Sequence, residues 1–334
     1  MATISDVAEY AGVARSTVSH ALSGKRPVSS ATRERINEAI AALRFTANAG
    51  AKALALAKTS TMGLIVSYAQ DEFAPARMQY VLAVSEVARD LEYDVLMVTD
   101  VDGVAGIRRV TESNRVDGVV LLSIKRHDDR IASVLAARQP GVLLGIAEDN
   151  DVVDSVDTDF AEAGRMLVRH LADQGHRRVV FVTFPEQLFA QDLGYVWRLR
   201  DSVIDEAAKR GVTLTIVYDD AKPTARAQVL GKALDDGSGN TALLVHSAAA
   251  LVDLPLLLSE RGISVPRDLS VVSLFGEEFG AMFSLPYTAI EPAPEVVAAR
   301  AVELLAARIA DPSRPIVREL IDPVLIDRGS TRAI

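Results

Sequence analysis

The stretch TISDVAEYAGVARSTVSHAL, residues 3–22, indicates how this chain of 334 residues begins. Thr3 precedes Asp6 by three residues, a spacing that suits a weak form of the capping box at the start of a helix. The apolar residues that follow recur at helical spacing until Gly12, where a tight turn is predicted. A second helix is predicted over residues 14–22.

A third helix is predicted to begin at Ser29 or Ser30, after the breakers Gly24 and Pro27. Three short helices with a glycine turn between the first two are typical of a helix-turn-helix unit. Their apolar positions predict a small core. The residues expected to face inward are Ile4, Val7, Ala8, Ala11, Val13, Val18, Ala21, Leu22, Ile36, Ala39, Ile40 and Leu43.

Charge is distributed unevenly along the chain. Residues 1–60 carry eight basic and four acidic side chains, whereas the remainder carries 28 basic and 41 acidic ones. The net charges of the two parts are therefore +4 and −13. A basic head on an acidic body is typical of a protein that binds a polyanion through the head alone.

The composition excludes several classes of protein. The chain has no cysteine, so disulfides, thiol nucleophiles and thiolate metal sites are excluded. No apolar run reaches the roughly 20 residues that a membrane span requires. The N-terminus lacks the basic and apolar regions of a secretory signal, so a cytoplasmic protein is expected.

From Met62 onward, apolar strands alternate with helices. Hydrophobicity in these strands is continuous rather than alternating, which predicts parallel sheets covered on both faces. Eight strands are too many for one sheet here, so two open, doubly wound sheets with a ligand cleft at their carboxyl ends are expected. The predicted strands are Met62–Ser67, Val95–Thr99, Gly118–Ser123, Val142–Ile146, Val179–Thr183, Leu214–Tyr218, Ala242–Val245 and Leu269–Leu274.

Several segments resemble one known family. The head of the chain closely resembles the DNA-binding head of the lactose/galactose repressor (LacI/GalR) family at Thr3–Ala8, Ala11–Val13, Thr17-Val18-Ser19, Leu22, Val28-Ser29 and Thr32-Arg33. The resemblance continues in order along the chain, at residues 116–120, 175–179, 265–272 and 325–331.

The resemblance implies a fold and a division into domains. It implies a small all-α helix-turn-helix head and a hinge helix, followed by a two-lobed α/β domain like a periplasmic binding protein. The expected bounds are 1–46 for the head, 47–59 for the hinge and 60–334 for the two-lobed effector-binding and dimerisation domain, with one lobe at about 60–159 plus 293–320 and the other at about 160–292 plus 321–334.

The second helix of a helix-turn-helix offers its first turn to base edges in the major groove. Here that turn exposes Arg15 and Ser16, and an arginine can bind guanine O6 and N7 bidentately. A phosphate contact or a solvated charge is the alternative for Arg15. Further polar side chains are candidates for the DNA backbone, which gives affinity without sequence information: Ser5, Thr17, Ser19, Lys25, Arg26, Ser29 and Thr32.

The family resemblance adds further DNA contacts. His20 matches a position that contacts a base or the backbone, although a surface histidine near a helix end is the alternative. Asn48 to Leu56 resembles the hinge helix that folds when two copies meet in the minor groove, with Asn48 and Lys52 at the backbone. Leu54 matches the leucine that wedges into the central base step. The family's proline before Asn48 is Ala47 in this chain.

The resemblance also implies a small-molecule effector, most often a sugar or a nucleobase, and the sequence favours a carbohydrate. The expected pocket residues are Phe73, Arg126, Trp197, Arg198, Ser247 and Glu277, each with surface placement or core packing as its alternative. Positions that carry polar contacts in the family differ here, namely Leu199, Ser247-Ala248 and Glu277-Glu278. The usual pocket is therefore not assumed.

The expected protein is a homodimeric repressor of a near-palindromic operator, with no cofactor, no metal site and no membrane partner. An enzyme is disfavoured because the dinucleotide, P-loop, nucleophile-elbow and zinc-protease motifs are absent. The five histidines, at 20, 127, 170, 176 and 246, are scattered along the chain, so the sequence offers no local support for a metal cluster. A transport solute-binding protein and a constitutive repressor with a degenerate pocket remain as alternatives.

Overall fold

A computed structural model describes most of the chain, namely residues 2–23, 26–45, 58–67, 74–100, 103–235, 241–276, 279–281 and 287–334. These residues form a small helical head and two α/β lobes. Within them, no helix is both long enough and apolar enough to cross a membrane.

The head consists of α1 (Ile4–Tyr10), α2 (Arg15–Ser23) and α3 (Ser30–Leu43). The predicted capping box is confirmed, because the Asp6 amide donates to Thr3 Oγ1 over 3.3 Å and the Thr3 amide donates to Asp6 Oδ2 over 2.7 Å. All three helices bury residues in one small core, which comprises Val7, Ala8, Ala11, Val18, Ile36 and Ala39.

One prediction for the head core is wrong. Leu22 was expected to face inward, but 37% of its surface is exposed. Phe45, which follows α3, packs on the core instead. Arg44 adopts a left-handed conformation with φ of 45° and ends α3 by turning the chain, which brings Phe45 back onto the helices.

The first lobe contains a six-stranded parallel sheet with the strand order β11-β5-β4-β3-β1-β2. Helices cover both faces of this sheet, and two cores lie between the layers. The elements are β1 (Thr61–Ser67), α4 (Ala74–Asp90), β2 (Asp94–Asp100), α5 (Val104–Glu112), β3 (Gly118–Leu121), α6 (Arg130–Ala136), β4 (Gly141–Leu144), β5 (Asp154–Thr158), α12 (Pro294–Ala310) and β11 (Arg318–Ile321).

The second lobe repeats this arrangement with the order β12-β10-β9-β8-β6-β7. Its pairs are parallel except that the edge strand β12 runs antiparallel to β10. The elements are α7 (Phe160–Asp173), β6 (Arg178–Thr183), α8 (Glu186–Phe189), α9 (Gly194–Arg210), β7 (Thr213–Tyr218), α10 (Pro223–Asp235), β8 (Thr241–Val245), α11 (Ala248–Glu260), β9 (Ser270–Ser273), β10 (Thr288–Glu291) and β12 (Val324–Ile326).

All eight strands predicted from continuous hydrophobicity are present, but four further strands were missed. β5 reads DSVDT and is fully buried, so its polar residues concealed it. β10 reads TAIE and β11 reads RELI, so polar and charged residues interrupt both short strands, and β12 reads VLI, which is too short for a hydrophobic pattern.

The polar start of β5 is buried because it has a partner. Arg308 of α12 donates two hydrogen bonds of 2.9 Å to the carboxylate of Asp154. The Val317 amide donates to Asp154 Oδ1 over 2.8 Å. Arg308 also donates to the carbonyls of Pro312, Arg314 and Pro315, so it ties α12 to β5 and to the approach to β11.

This pair makes a prediction about stability. Asp154→Ala should lower the free energy of unfolding by about 3–5 kcal/mol, because it leaves the Arg308 charge buried without its carboxylate. Glu86→Ala is the control, since it breaks an exposed ion pair with Arg89 and should cost about 1 kcal/mol or less. Urea unfolding of both variants measures the difference, and equal costs would contradict the structural role of the pair.

Candidate DNA interface and ligand cleft

The exposed start of α2 is the candidate base-reading surface. The Ala14 carbonyl accepts hydrogen bonds from the amides of Thr17 and Val18, so the helical hydrogen bonding of α2 begins at the residue before Arg15. Arg15 and Ser16 are exposed, while Val18 is fully buried in the head core. The core therefore fixes the face of α2 that carries the two polar side chains.

The remaining head candidates differ in their surroundings. Ser5 and Arg26 are exposed, while Thr17, Ser19 and His20 are partly buried on or beside the α2 surface. Ser29 caps α3: its Oγ accepts from the Thr32 amide over 3.2 Å and lies 2.8 Å from Thr32 Oγ1. Capping of α3 therefore accounts for some of the hydrogen bonds that the Ser29 and Thr32 side chains can make. Lys25, Asn48, Lys52 and Leu54 lie outside the described residues.

The ligand cleft lies between the two lobes, where the carboxyl ends of both sheets meet. Parallel strands bring their following loops to one edge, and open α/β sheets bind ligands at this edge. Three chain crossings join the lobes there, after β5, β10 and β11. Thr158 Oγ1 donates to the Pro292 carbonyl over 2.7 Å and the Asp159 amide donates to the Ile321 carbonyl over 2.9 Å, so the crossings are bonded together.

The cleft encloses about 880 Å³, including its open mouth. Its lining is largely aromatic and aliphatic, with a few polar groups, which suits a small ligand with both apolar faces and hydrogen-bonding groups. Both lobes contribute. The lining residues are Ala76, Arg77, Gln79, Tyr80, Leu122, Ser123, Ile124, Leu144, Gly145, Asp157, Phe160, Phe184, Tyr195, Ala248, Leu274, Phe275 and Pro292.

Asp157 is the carboxylate of this lining. Its Oδ2 accepts a hydrogen bond from Arg198 of the other lobe, and its Oδ1 accepts from the Thr158 amide over 2.9 Å. Burial raises the pKa of Asp157 to about 6, although Arg198 and the backbone amides act in the opposite direction. Burial, with a smaller contribution from Asp157, also raises the pKa of Tyr80. The cleft therefore disfavours negative charge on its own groups.

Two of the expected pocket residues stack on each other outside the cleft lining. The Arg126 guanidinium lies 4.3 Å from the centroid of the Trp197 ring, and that of Arg200 lies 4.1 Å from it. Trp197 Nε1 donates to the Phe189 carbonyl over 3.3 Å. The ring of Trp197, which was expected in the pocket, is therefore in contact with two arginine side chains of the protein itself.

Two other expected pocket residues, Arg198 and Ser247, are also placed differently. Arg198 lies behind the lining, where its Nη1 donates to the Ile146 carbonyl over 2.9 Å and its Nη2 binds Asp157. Ser247 is 1% exposed; it caps α11 and donates to the buried Asp219. Phe73 and Glu277 lie outside the described residues.

Sequence reasoning missed the residues that do line the cleft. A usable signal was present, because Ser123 and Leu274 end predicted strands and Phe184 directly follows one. Asp157 was missed because β5 itself was missed. Among the described residues, no three histidine or acidic side chains are grouped closely enough to hold a metal ion.

Comparison with protein families agrees with this architecture. Residues 3–48 match the model of the bacterial regulatory proteins of the lacI family. Residues 59–192 match the periplasmic binding proteins and sugar-binding domain of the LacI family, and residues 168–331 match a periplasmic binding protein-like domain.

Similar proteins span the whole chain. The transcriptional regulator CelR of Thermobifida fusca is 29% identical, with 98% of each chain covered. The ribose operon repressor of Escherichia coli is 26% identical over 99% of this chain and 100% of its own. The transcriptional repressor PurR of Glaesserella parasuis is 25% identical, with 99% of both chains covered.

Two solved structures are similar over 99% of this chain. A complex of CelR with cellobiose has a TM-score of 0.67 at 25% identity, with all of that chain covered. A lac repressor dimer bound to operator and the anti-inducer ONPF has a TM-score of 0.83 at 23% identity, with 99% of that chain covered, and shows the shared fold.

A helix-turn-helix head joined to a two-lobed domain with a cleft defines a class of DNA-binding regulators that respond to small molecules. The family matches place this chain within that class from residue 3 to residue 331. The chain belongs to the lacI family of bacterial regulatory proteins.

The cleft carboxylate makes a prediction about pH. The folded protein holds the Asp157 proton up to a pKa of about 6, whereas the unfolded chain releases it near the ordinary value of 3.8. The folded state therefore binds more protons between these values, so the stability contributed by this group is lost as pH rises from about 4 to about 6. In Asp157→Asn this loss is absent.

Urea unfolding of the wild type and Asp157→Asn at pH 4.5 and pH 7 tests this expectation. The wild type should lose stability relative to the variant by about 2 kcal/mol over this interval, since pH 4.5 already lies above the ordinary pKa of the carboxyl group. Asp151→Asn, an exposed position, serves as the control and should follow the wild type at both pH values. A difference between the wild type and Asp157→Asn that does not change with pH would contradict the raised pKa.

Proposed function

We propose that this protein is a cytoplasmic repressor that binds a near-palindromic operator as a homodimer and changes its operator affinity when a carbohydrate binds in the cleft. The observation that carries the proposal is the pairing, in one chain, of an exposed Arg15–Ser16 turn with a ligand-sized cleft between two lobes. The charge division, +4 over residues 1–60 and −13 beyond, assigns DNA binding to the head.

On DNA, α2 lies in the major groove with Arg15 and Ser16 at base edges and His20 further along the same helix. The backbone contacts come from Ser5, Thr17, Ser19, Lys25, Arg26, Ser29 and Thr32 in the head, and from Asn48 and Lys52 in the segment that follows. The exposed positions of Arg15 and Ser16 on a helix fixed by Val18 support this assignment.

Residues 47–59 act as the hinge between the head, 1–46, and the two-lobed domain, 60–334. Two copies of this segment meet in the minor groove, where Leu54 inserts into the central base step. Unstacking a step costs a few kcal/mol and is offset by the larger contact of a bent duplex. The similar lac repressor structure, a dimer on its operator, supports a dimer here.

We propose that one lobe comprises about 60–159 plus 293–320 and the other about 160–292 plus 321–334. This division is supported by α12, which packs in the core of the first lobe, by β11, which is an edge strand of the first sheet, and by β12, which is an edge strand of the second. The cellobiose complex of CelR and the ribose operon repressor support a carbohydrate effector.

The cleft supports an effector-responsive repressor over a constitutive one. Phe160 and Tyr195 pack with ring centroids 5.4 Å apart, and Phe184 meets Tyr195 edge to face at 6.2 Å, so an aromatic surface is already assembled. Asp157 and Ser123 supply hydrogen-bonding groups beside it. The DNA-binding head favours a regulator over a transport protein, and no catalytic residues or cofactor are assigned.

The recognition helix is tested with DNA selected by the full-length protein from a random pool. Arg15→Ala should weaken binding to the selected sequence by about 10- to 100-fold, the loss of one bidentate base contact, and leave non-specific binding little changed. Arg33→Ala, an exposed arginine of α3, is the control and should retain sequence preference. Equal losses on selected and random DNA would make Arg15 a phosphate contact instead.

The cleft is tested by thermal shift against sugars, sugar phosphates, nucleosides and amino acids. A ligand at a hundred times its Kd should stabilise the protein by about 2.7 kcal/mol. For the ligand found, Leu274→Ala should weaken binding about tenfold, because Leu274 lines the cleft. Leu269→Ala, equally buried in the same lobe but outside the lining, should not. Equal losses in both variants, or a nucleoside as the sole ligand, would contradict the proposal.

A further inference from the structure

The two lobes touch at a place other than the three chain crossings. The loop after β3, in the first lobe, pairs with the segment before α9, in the second. Lys125 and Leu193 form an isolated antiparallel bridge. On its two sides the Arg126 amide donates to the Asp192 carbonyl over 2.8 Å and the Gly194 amide donates to the Ile124 carbonyl over 2.9 Å.

Side chains reinforce this main-chain bridge. Arg126 Nε donates to Asp192 Oδ1 over 2.6 Å, and the same guanidinium lies over the ring of Trp197. Arg200 lies over that ring as well and extends the stack. Arg198 adds a bond from the second lobe to the Ile146 carbonyl of the first. We call the contact formed by Ile124–Arg126, Asp192–Gly194 and Trp197 the interlobe clasp.

The backbones in the clasp are too close for a side chain to fit between them. A Cβ at Gly194 would lie 2.9 Å from the Ile146 carbonyl oxygen and 3.5 Å from that of Ile124. Asp192 has a φ of 60°, a conformation that few residues other than glycine, asparagine and aspartate adopt readily. Both positions are therefore suited to this contact.

The clasp adjoins the ligand cleft directly. Ile124, which accepts one of the bridging hydrogen bonds, lines the cleft, and so does Tyr195, the residue after Gly194. A molecule that pushes on either side chain therefore acts on the clasp. A ligand shifts a conformational equilibrium only by its unequal affinity for the two states, and this contact offers a physical difference between them.

We propose that the interlobe clasp holds the two lobes closed on each other in the ligand-free protein, with Arg126, Asp192 and Trp197 as positioning residues that set this resting geometry. The consequence for regulation rests on the proposed function. The clasp then sets the basal affinity for the operator, and the effector acts by strengthening or breaking the clasp. Burial alone would raise the pKa of Asp192, but hydrogen bonds from Arg126 and His127 lower it, which agrees with a charged partner for Arg126.

The first test uses the absence of cysteine from the chain. Lys125 and Leu193 face each other without sharing a hydrogen bond, a pairing in which antiparallel Cα atoms lie about 4.5 Å apart. That separation lies within the range that a disulfide spans. The double variant Lys125→Cys with Leu193→Cys should therefore oxidise rapidly and completely in the ligand-free protein, while each single variant retains its free thiol.

Charge removal in the clasp provides the second test. Asp192→Asn keeps the left-handed backbone but removes the ion pair. It should increase the equilibrium constant for opening of the lobes about two- to fivefold and slow disulfide formation. Arg210→Gln is the control, because it removes an arginine of α9, the helix that follows Asp192, whose partners Asp173 and Glu206 lie within one lobe. It should leave the cross-linking rate unchanged.

Two solution measurements keep the test independent of cross-linking. Small-angle scattering should show a larger radius of gyration for Asp192→Asn and for Gly194→Ala than for the wild type or Arg210→Gln. Trp197 is the only tryptophan of the chain, so acrylamide quenching of its fluorescence reports on the same contact. Asp192→Asn and Gly194→Ala should increase this quenching.

These measurements need neither DNA nor effector, so their outcome does not depend on whether the proposed function is correct. Thiols that stay free in the folded double variant would overturn the proposal. So would scattering and quenching of Asp192→Asn that match Arg210→Gln. Operator binding by the oxidised and reduced double variant is then compared; a difference of at least about fivefold would support the regulatory consequence, and equal binding would overturn that consequence alone.

Discussion

The structure depends on one topological constraint, which is that the chain passes between its two sheets three times at their carboxyl ends. The crossings are bonded to one another through Thr158 and Pro292 and through Asp159 and Ile321. The crossings tie the lobes together at one edge, so we expect relative motion of the lobes to be centred on these segments. Any molecule that fills the cleft contacts both lobes.

Around this constraint, charged groups are used in two different ways. Within each lobe, buried carboxylates are held by arginines, as in Asp128 with Arg130 and Asp219 with Arg226. These pairs are enclosed and hydrogen-bonded, and breaking one leaves a buried charge, so each fixes the loops around it. Ion pairs also join the lobes. Asp157 with Arg198 is largely enclosed, whereas Arg126 with Asp192 is about 30% exposed and is open to screening and exchange. The Arg126–Asp192 contact is therefore weaker than the enclosed pairs within each lobe.

This contrast is what a ligand-responsive DNA-binding protein requires. A rigid lobe transmits a rotation without absorbing it, and a weak contact between lobes allows a small ligand to decide the outcome, since coupling between sites is typically about 1–3 kcal/mol. The core of the head, as far as the structure describes it, consists of the head's own residues, Val7, Val18 and Ile36 among them. We expect the regulatory signal to pass through the segment that joins the head to the lobes.

The sequence by itself determined the head, the basic and acidic division, and eight of the strands, because caps, turns and continuous apolar runs are local signals. Only the tertiary structure decided what lines the cleft and what holds it. Asp157 lies on a polar strand that is buried only because its neighbours are in place, and Trp197 carries arginines from both lobes rather than a ligand. The cleft is assembled from segments far apart in the chain. Strand ends point to some of its lining, such as Ser123 and Phe184, but a local pattern does not indicate which side chains meet across the two lobes.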